Sequence, residues 1–384
     1  MSYRAEGLIA ERFRRQPGGP VVSLNEGQIL RYIRLQPGVA RSLLSDRFDL
    51  AQQSLHRIVD GLAERGLLKL GPPQPGLGRG QPSPSLWVDP AFAYTWGISL
   101  NTDDIGLCLM RFDGTPIHQE FVEIGGRGRE DGIDLISDRM EALRQEHHLE
   151  EERCLGVGFG IAGYWVSGTQ FNAPLPLHDW SLIELGPLLS NRFGLPVWIE
   201  NGANTASIGE AMLGYGRFIS NFAYISFNYG LGGGLIYRGE LLIGGNHNAG
   251  EFSGIYHPQE HQRRPALQFL LARLIANGVP VRSIADISQY YDPKWPGAEE
   301  WIGEVTPAFN QMVAAIWGTF DPQAIVLGGQ IPAKLAERFI QGCVIQQGSR
   351  YGVPRAVPKL MVSELGSNAS ALGAAAYPLR VCGL

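Results

Sequence analysis

The stretch "YTWGISLNTDDIGLCLMRFDGTPIHQEFVEI", Tyr94 to Ile124, constrains the fold more than any other part of the chain. It reads as three successive strands, broken by an open polar turn at Asn101–Asp104 and a tight "DGT" turn. A helix is expected around Gly132–His147, then a buried strand "CLGVGFGIAG" and a long irregular loop. A helix near Ile183–Phe193 and the strand "PVWIE" follow, and later "FAYISFNYGLGGGLIYRGELLIGG", "AIVLGGQ" and a closing "SNASALGAAAYPL". Strands in series and then strands alternating with helices make an α/β pattern.

The first ninety residues follow a different period. "NEGQILRYIRLQPG" carries a plausible N-cap at Asn25 and sets Ile29, Leu30 and Ile33 on one helical face before Pro37-Gly38 ends it. "VARSLLSDRFD" reads as a second short helix. "LAQQSLHRIVDGLAERGLLKLG" sets Leu50, Ile58, Val59 and Leu62 at helical spacing with Leu55 beside them, and Gln52, Gln53, His56 and Arg57 opposite. Gly66 stops that helix and "LLKL" is a short strand. Three helices and a strand match a winged helix-turn-helix, whose third helix can read base edges in the major groove. The Gly/Pro-rich "GPPQPGLGRGQPSPSLWV" would be the wing, with Arg79 able to reach a narrow minor groove. The bland alternative is a three-helix packing module followed by a linker.

Charge agrees with the first reading. Residues 1–89 carry 12 Lys/Arg against 8 Asp/Glu, whereas the whole chain has a formal net charge of −5, so a mildly basic front sits on an acidic body. The four cysteines are scattered without a CxxC pair, which fits a reducing cytoplasm and excludes a thiolate zinc site. No apolar run is long enough to span a membrane, and the N-terminus lacks the apolar core of a secretory signal.

The N-terminal stretch resembles the DNA-binding head of repressors of the ROK family (repressors, open reading frames, kinases). "LAQQSLHRIVDGLAERGLL" has the look of their recognition helix and "GLGRGQPSP" that of their wing. From about residue 93 onward the chain is similar to the two-lobed ROK sugar kinases. The hairpin near 99–114, "GFGIAG", "ENGAN", "GLGGGLI", "NAGEFSG" and "IVLGGQ" fall in the family's order. The resemblance implies an α/β, actin-like ATPase (ribonuclease H-like) two-lobed body behind an N-terminal winged helix-turn-helix. The expected division is 1–72 for the DNA-binding head, 73–92 for wing and linker, 93–205 for the first lobe and 206–365 for the second, with 366–384 packing back on the first lobe.

Phosphoryl transfer to a sugar needs a phosphate cradle, a magnesium site and a carboxylate beside the attacking hydroxyl. Where the family's kinases read Asp-x-Gly-Gly-Thr, this chain has Ser99, Asn101, Thr102 and Asp103, so the metal carboxylate and both glycines are gone and Asp103 is expected to aim a negative charge at the phosphates. Asn228-Tyr229-Gly230 replaces Gly-Thr-Gly, with a tyrosine filling phosphate space. Gly202 stands where the kinases carry their general base; losing that base costs about 10²–10⁴-fold in rate. After Ala249-Gly250-Glu251 the family's zinc histidine is Gly254, and His257 and His261 lack a third ligand. The expectation is a kinase fold without kinase activity, cofactor or metal. The alternative is an active carbohydrate kinase with an accessory N-terminal domain and Glu200 as substitute base.

A regulator still needs to sense its effector. The resemblance places Asn201 and Glu251 at positions that contact sugar hydroxyls, and Gln268 at that of a sugar-binding glutamate. "PLPLHDW" lacks the family's asparagine before its tryptophan, with His178 and Asp179 as candidate substitutes. The competing reading makes Asn201 and Glu251 mere caps and loop hydrogen-bonders. The expected function is a sugar- or small-polyol-responsive regulator, a repressor of carbohydrate metabolism genes. Its partners would be double-stranded operator DNA, a sugar-like effector and further copies of itself as homodimer or homotetramer.

Overall fold

The first helix begins at a reciprocal cap. Ser23 Oγ accepts from the Glu26 amide at 3.4 Å while the Glu26 carboxylate accepts from the Ser23 amide at 2.6 Å. The cap of α1 (Leu24–Leu35) is therefore Ser23 rather than Asn25, because Glu26 closes the pair. Ile29, Leu30 and Ile33 are fully buried on its inner face. The computed structural model describes residues 9–74, 83–124, 126–345, 351–381 and 383–384.

A 3-10 turn, Arg41–Leu43, runs into α2 (Leu44–Arg47), and a short connection leads to α3 (Gln52–Glu64). The buried stripe of α3 is Leu55, Val59 and Leu62. Leu50 lies ahead of the helix and Ile58 flanks the stripe, so the inner face is rotated from the sequence expectation. A small sheet completes the head, with β1 (Val39–Ala40), β2 (Leu68–Gln74) and β3 (Ser83–Val88) in the order β1-β3-β2. The strand read as "LLKL" runs on through Pro72 and Pro73. An edge strand tolerates prolines because their missing N–H faces no partner, and the register shifts between Gly71 and Pro73.

The body repeats one plan. In the first lobe β4 (Tyr94–Leu100), β5 (Asp104–Arg111) and β6 (Pro116–Glu123) form an antiparallel meander. Helix α4 (Arg129–Glu146) leads to β7 (Cys154–Ile161), which lies parallel to β4. A hairpin of β8 (Tyr164–Ser167) and β9 (Gln170–Asn172), then α5 (Leu185–Phe193), precede β10 (Val197–Asn201), parallel to β7. The sheet order is β10-β7-β4-β5-β6.

Helix α6 (Gly202–Leu213) crosses to the second lobe, where β11 (Phe222–Phe227), β12 (Leu231–Tyr237) and β13 (Glu240–Leu242) repeat the meander. Helices α7 (Leu267–Ala276), α8 (Ile284–Tyr290) and α9 (Ala298–Phe320) precede β14 (Ala324–Gly329). Helix α10 (Ala333–Gly342) and β15 (Lys359–Val362) close the order β13-β12-β11-β14-β15, with β14 and β15 parallel to β11.

The terminal helix α11 (Ala369–Val381) packs on α6 and on both sheets. Its small residues are required there. A Cβ on Gly373 would stand 1.7 Å from the Thr205 carbonyl oxygen, and one on Gly158 of β7 would stand 1.9 Å from that of Ala374.

Head and body share one core. Ile29, Leu30 and Val59 pack in the same apolar cluster as Met110, Phe112, Met212 and Leu379. Truncating Leu30 to alanine would cost about 2–5 kcal/mol. Polar contacts line the seam: Arg31 Nη1 donates to Glu240 Oε1 at 2.6 Å, Arg380 pairs with the same carboxylate, and Arg34 Nη1 donates to the Met212 carbonyl at 3.4 Å. Among the described residues no helix is long and apolar enough to cross a membrane.

Candidate functional site

A cleft of about 630 Å³ opens between the lobes, within the usual range for small-ligand pockets. The ends of β4, β7 and β10 supply one wall, and the β11–β12 turn with the segments around Glu251 and Gln268 supply the other. Hydrogen bonds cross it. The Trp165 amide donates to Asn248 Oδ1 at 2.9 Å, and Asn248 Nδ2 donates back to the Trp165 carbonyl at 3.0 Å.

Asn201 sits at the hinge of this arrangement. Its Oδ1 accepts from the amides of Ala203 at 2.7 Å and Asn204 at 3.2 Å, capping α6. Its Nδ2 donates to the Gly163 carbonyl at 2.6 Å and to Glu251 Oε1 at 3.3 Å. The side chain is thus both cap and cleft wall, and a ligand hydroxyl reaches it by replacing the bond to Glu251. Among the described residues the Glu251 carboxylate accepts a hydrogen bond from Asn201 alone, and desolvation pushes its pKa up. A half-buried acceptor with spare lone pairs suits a hydroxyl donor.

Glu200 does not line the cleft. Its Oε1 accepts from the Asn201 amide at 2.7 Å and from Asn204 Nδ2 at 3.1 Å, so it secures the start of α6 and is poorly placed as a substitute base. Gly202 does line the cleft, and a Cβ there would meet Ile161 and Ser370 no closer than 3.6 Å. Packing therefore leaves room for a side chain at this position.

The hairpin after β4 is committed elsewhere. Asn101 Nδ2 donates to Asp104 Oδ1 at 2.7 Å, and Ser99 Oγ donates to Ser370 Oγ at 2.8 Å. Asp103 does not aim at phosphate space as expected: its Oδ2 accepts from the Ile284 amide at 2.7 Å, at the N-terminus of α8. A carboxylate at a helix N-terminus gains from unsatisfied amides and the helix dipole, which explains the reorientation. Across the cleft Asn228 binds Ser226 Oγ and the Gln330 amide, and Tyr229 lines the wall.

Gln268 lines the cleft with Asn201 and Glu251, whereas His178 and Asp179 do not. Residues Leu175–Trp180 form a 3-10 stretch that buries Leu177 and Trp180, leaving His178 and Asp179 to pair with each other at 2.7 Å in solvent. Instead Tyr164 and Asn172 of the β8–β9 hairpin supply the polar atoms on that side, with Asn172 Nδ2 donating to the Tyr164 hydroxyl at 2.5 Å. Arg264, not singled out from the sequence, also lines the cleft, as does His261, which the sequence analysis weighed only for zinc. His257 caps its own 3-10 turn through Nδ1, and no group of three potential metal ligands exists among the described residues.

The model of the ROK family matches residues 95–263. The chain carries a ROK family domain. It is 28% identical over 234 residues to the xylose repressor of Caldicellulosiruptor bescii, a match covering 59% of this chain and 57% of that one, less than two thirds of the repressor's length. In three dimensions it is similar to a ROK family transcriptional regulator, a homolog of the E. coli MLC protein, with TM-score 0.71 and 21% identity over 94% of this chain and 96% of the other. It is also similar to a ROK family glucokinase from Streptomyces griseus in complex with glucose and AMPPNP, with TM-score 0.58 and 22% identity over 74% and 98%. The two-lobed actin-like fold is therefore shared by ROK regulators and ROK kinases, and only the site can separate them.

In the head α3 exposes Gln52, Gln53, His56 and Arg57. Arg41 braces this helix, donating to the His56 carbonyl at 2.8 Å and pairing with Asp60. Arg79 lies outside the described residues.

Proposed function

We propose that this chain is a ligand-responsive transcriptional regulator that uses a ROK body to sense a sugar-like molecule and its helical head to bind double-stranded DNA. The observation that carries the reading is the span of α6. Its first residues are capped by Asn201 inside the cleft, and at its last turn the Met212 carbonyl accepts from Arg34 of α1 in the head. One rigid element thus touches both the candidate ligand site and the DNA-binding module.

The head supports DNA binding through its exposed Gln/His/Arg face, whose donors and acceptors match base edges in the major groove. The cleft supports ligand binding without phosphoryl transfer. It keeps a half-buried acceptor in Glu251, has glycine at position 202, and the Asp103 carboxylate of its first hairpin is turned to the N-terminus of α8. A ligand that separates Asn201 from Glu251 shifts α6, and α6 shifts the head. Two copies related by a two-fold axis would present two such heads to half-sites one helical turn apart.

Replacing Gln53 or Arg57 with alanine tests the head. Each lost base contact is expected to cost about 1–3 kcal/mol of discrimination, read as a flattened preference in a selection from random DNA. Unchanged sequence preference in both variants would refute the assignment of α3.

A further inference from the structure

Arg264 is the one feature of the cleft that a neutral sugar leaves unexplained. It follows the 3-10 stretch Pro258–Arg263, just before α7, and lines the cleft beside Gln268 and His261. Its Nε is buried without a hydrogen-bond partner, and its guanidinium lies over the Phe269 ring at 5.8 Å. Other partly buried arginines are engaged within the protein: Arg41, Arg65, Arg139 and Arg380 each stand against a carboxylate, Asp60, Glu26, Glu120 and Glu240 respectively, and Arg34, whose Nε is also unpartnered, donates to the Met212 carbonyl. Among the described residues Arg264 has no such partner. Burial lowers its pKa, and the one neighbouring group that opposes this is the Tyr256 phenol, not the Glu251 carboxylate.

An unpaired guanidinium taken partly out of water is costly, and an anionic ligand in the cleft would offset that cost. The planar fork fits a carboxylate or phosphate through two parallel N–H donors. We propose that the effector is an anionic sugar, a sugar acid or a sugar phosphate, with its anion on Arg264 and its hydroxyls on Glu251 and Asn201. This rests on the reading of the cleft as an effector site and adds the charge class of the ligand.

Calorimetric titration of the full chain at fixed ionic strength tests it, using D-glucose, D-xylose, D-glucuronate, D-glucose 6-phosphate and inorganic phosphate. The expected result is that one anionic sugar binds roughly 10- to 100-fold tighter than the neutral sugars. Glucuronate and glucose 6-phosphate separate the carboxylate source from the phosphate source. Arg264→Met removes that preference, and Arg264→Lys, which keeps charge but loses the fork, restores part of it. The unliganded variants are first checked for native melting. Neutral sugars binding as well as or better than both anionic ones overturns the proposal and leaves the effector cleft standing. Inorganic phosphate matching the anionic sugars overturns it as well, as a bare anion site. Binding of no compound in the panel overturns it together with the sugar-sensing reading, while DNA binding by the head stays independently measurable.

Discussion

Asn201 of the first lobe donates through Nδ2 to Glu251 Oε1 of the second at 3.3 Å, while its Oδ1 caps α6. One side chain thus ties the closure of the cleft to the anchoring of the helix that reaches the head. A ligand hydroxyl competing for Glu251 acts directly on that tie.

Glu251→Gln separates ligand binding from folding. The half-buried carboxylate, with its raised pKa, is replaced by a neutral group that can still accept from Asn201. Melting of the free protein is expected to stay level or rise, since a poorly compensated buried charge is removed. Effector affinity is expected to fall about 10-fold or more, because a hydrogen bond to a charged acceptor is lost. A fall in melting temperature alongside unchanged affinity would show that Glu251 is structural.

Glu210 makes stability depend on pH. It is fully buried on α6, accepting from Ser363 Oγ at 2.6 Å and from the Tyr215 amide at 2.9 Å, yet desolvation pushes its pKa up. The folded state therefore holds this proton more tightly than the unfolded chain. The associated stability is complete below the unfolded value of about 4.3 and is lost as pH rises through the folded value. Relative to Glu210→Gln, the wild-type protein should lose stability as pH rises above the unfolded value of about 4.3, read from chemical denaturation at each pH. A constant difference between the two proteins across that range would contradict the assignment.

Gly202→Asp tests the absence of catalysis. A side chain at 202 meets only ordinary contacts, and an acidic residue in the first turn of α6 suits the helix dipole, by about 0.3–1 kcal/mol. The variant is expected to fold normally and still not phosphorylate sugars with ATP and magnesium, because Asp103 is engaged by α8 and Asn101 by Asp104. Sugar-dependent turnover in the wild-type protein at the ~1–100 s⁻¹ of ordinary kinases would overturn the regulator reading.

Arg34→Met probes the route from cleft to head. Arg34 is half-buried at the seam, its pKa lowered to about 10 chiefly by desolvation and then by Arg31. Methionine keeps the packing volume and removes the bond to the Met212 carbonyl. Ligand affinity and head docking are expected to persist while the ligand-induced change in DNA affinity shrinks toward unity. An unaltered ligand response would mean that signalling bypasses this contact.

The strand order of the first lobe and the exposed face of α3 were legible because each rests on local periodicity. Other features depended on packing. Pro72 and Pro73 fell in the stretch read as wing, yet β2 runs through them because it lies at a sheet edge where a missing N–H is harmless. His178 and Asp179 point outward because Leu177 and Trp180 take the core positions of that 3-10 stretch. Asp103 found the amide of Ile284, 181 residues away, a partner no spacing rule could supply. Arg264 was overlooked in a loop judged for zinc, since lacking a partner is a property only tertiary structure reveals.

The most direct measurement is a titration of the full chain onto labelled DNA from upstream of its own gene, at one salt concentration, with and without each sugar of the panel. Fixed salt is essential because phosphate contacts make affinity steeply salt-dependent. The expected result is sequence-selective binding that one compound changes by about 5- to 150-fold, the range that ~1–3 kcal/mol of coupling provides. Binding no tighter than to random DNA, or selective binding that every ligand of the cleft leaves unchanged, would contradict a ligand-responsive regulator.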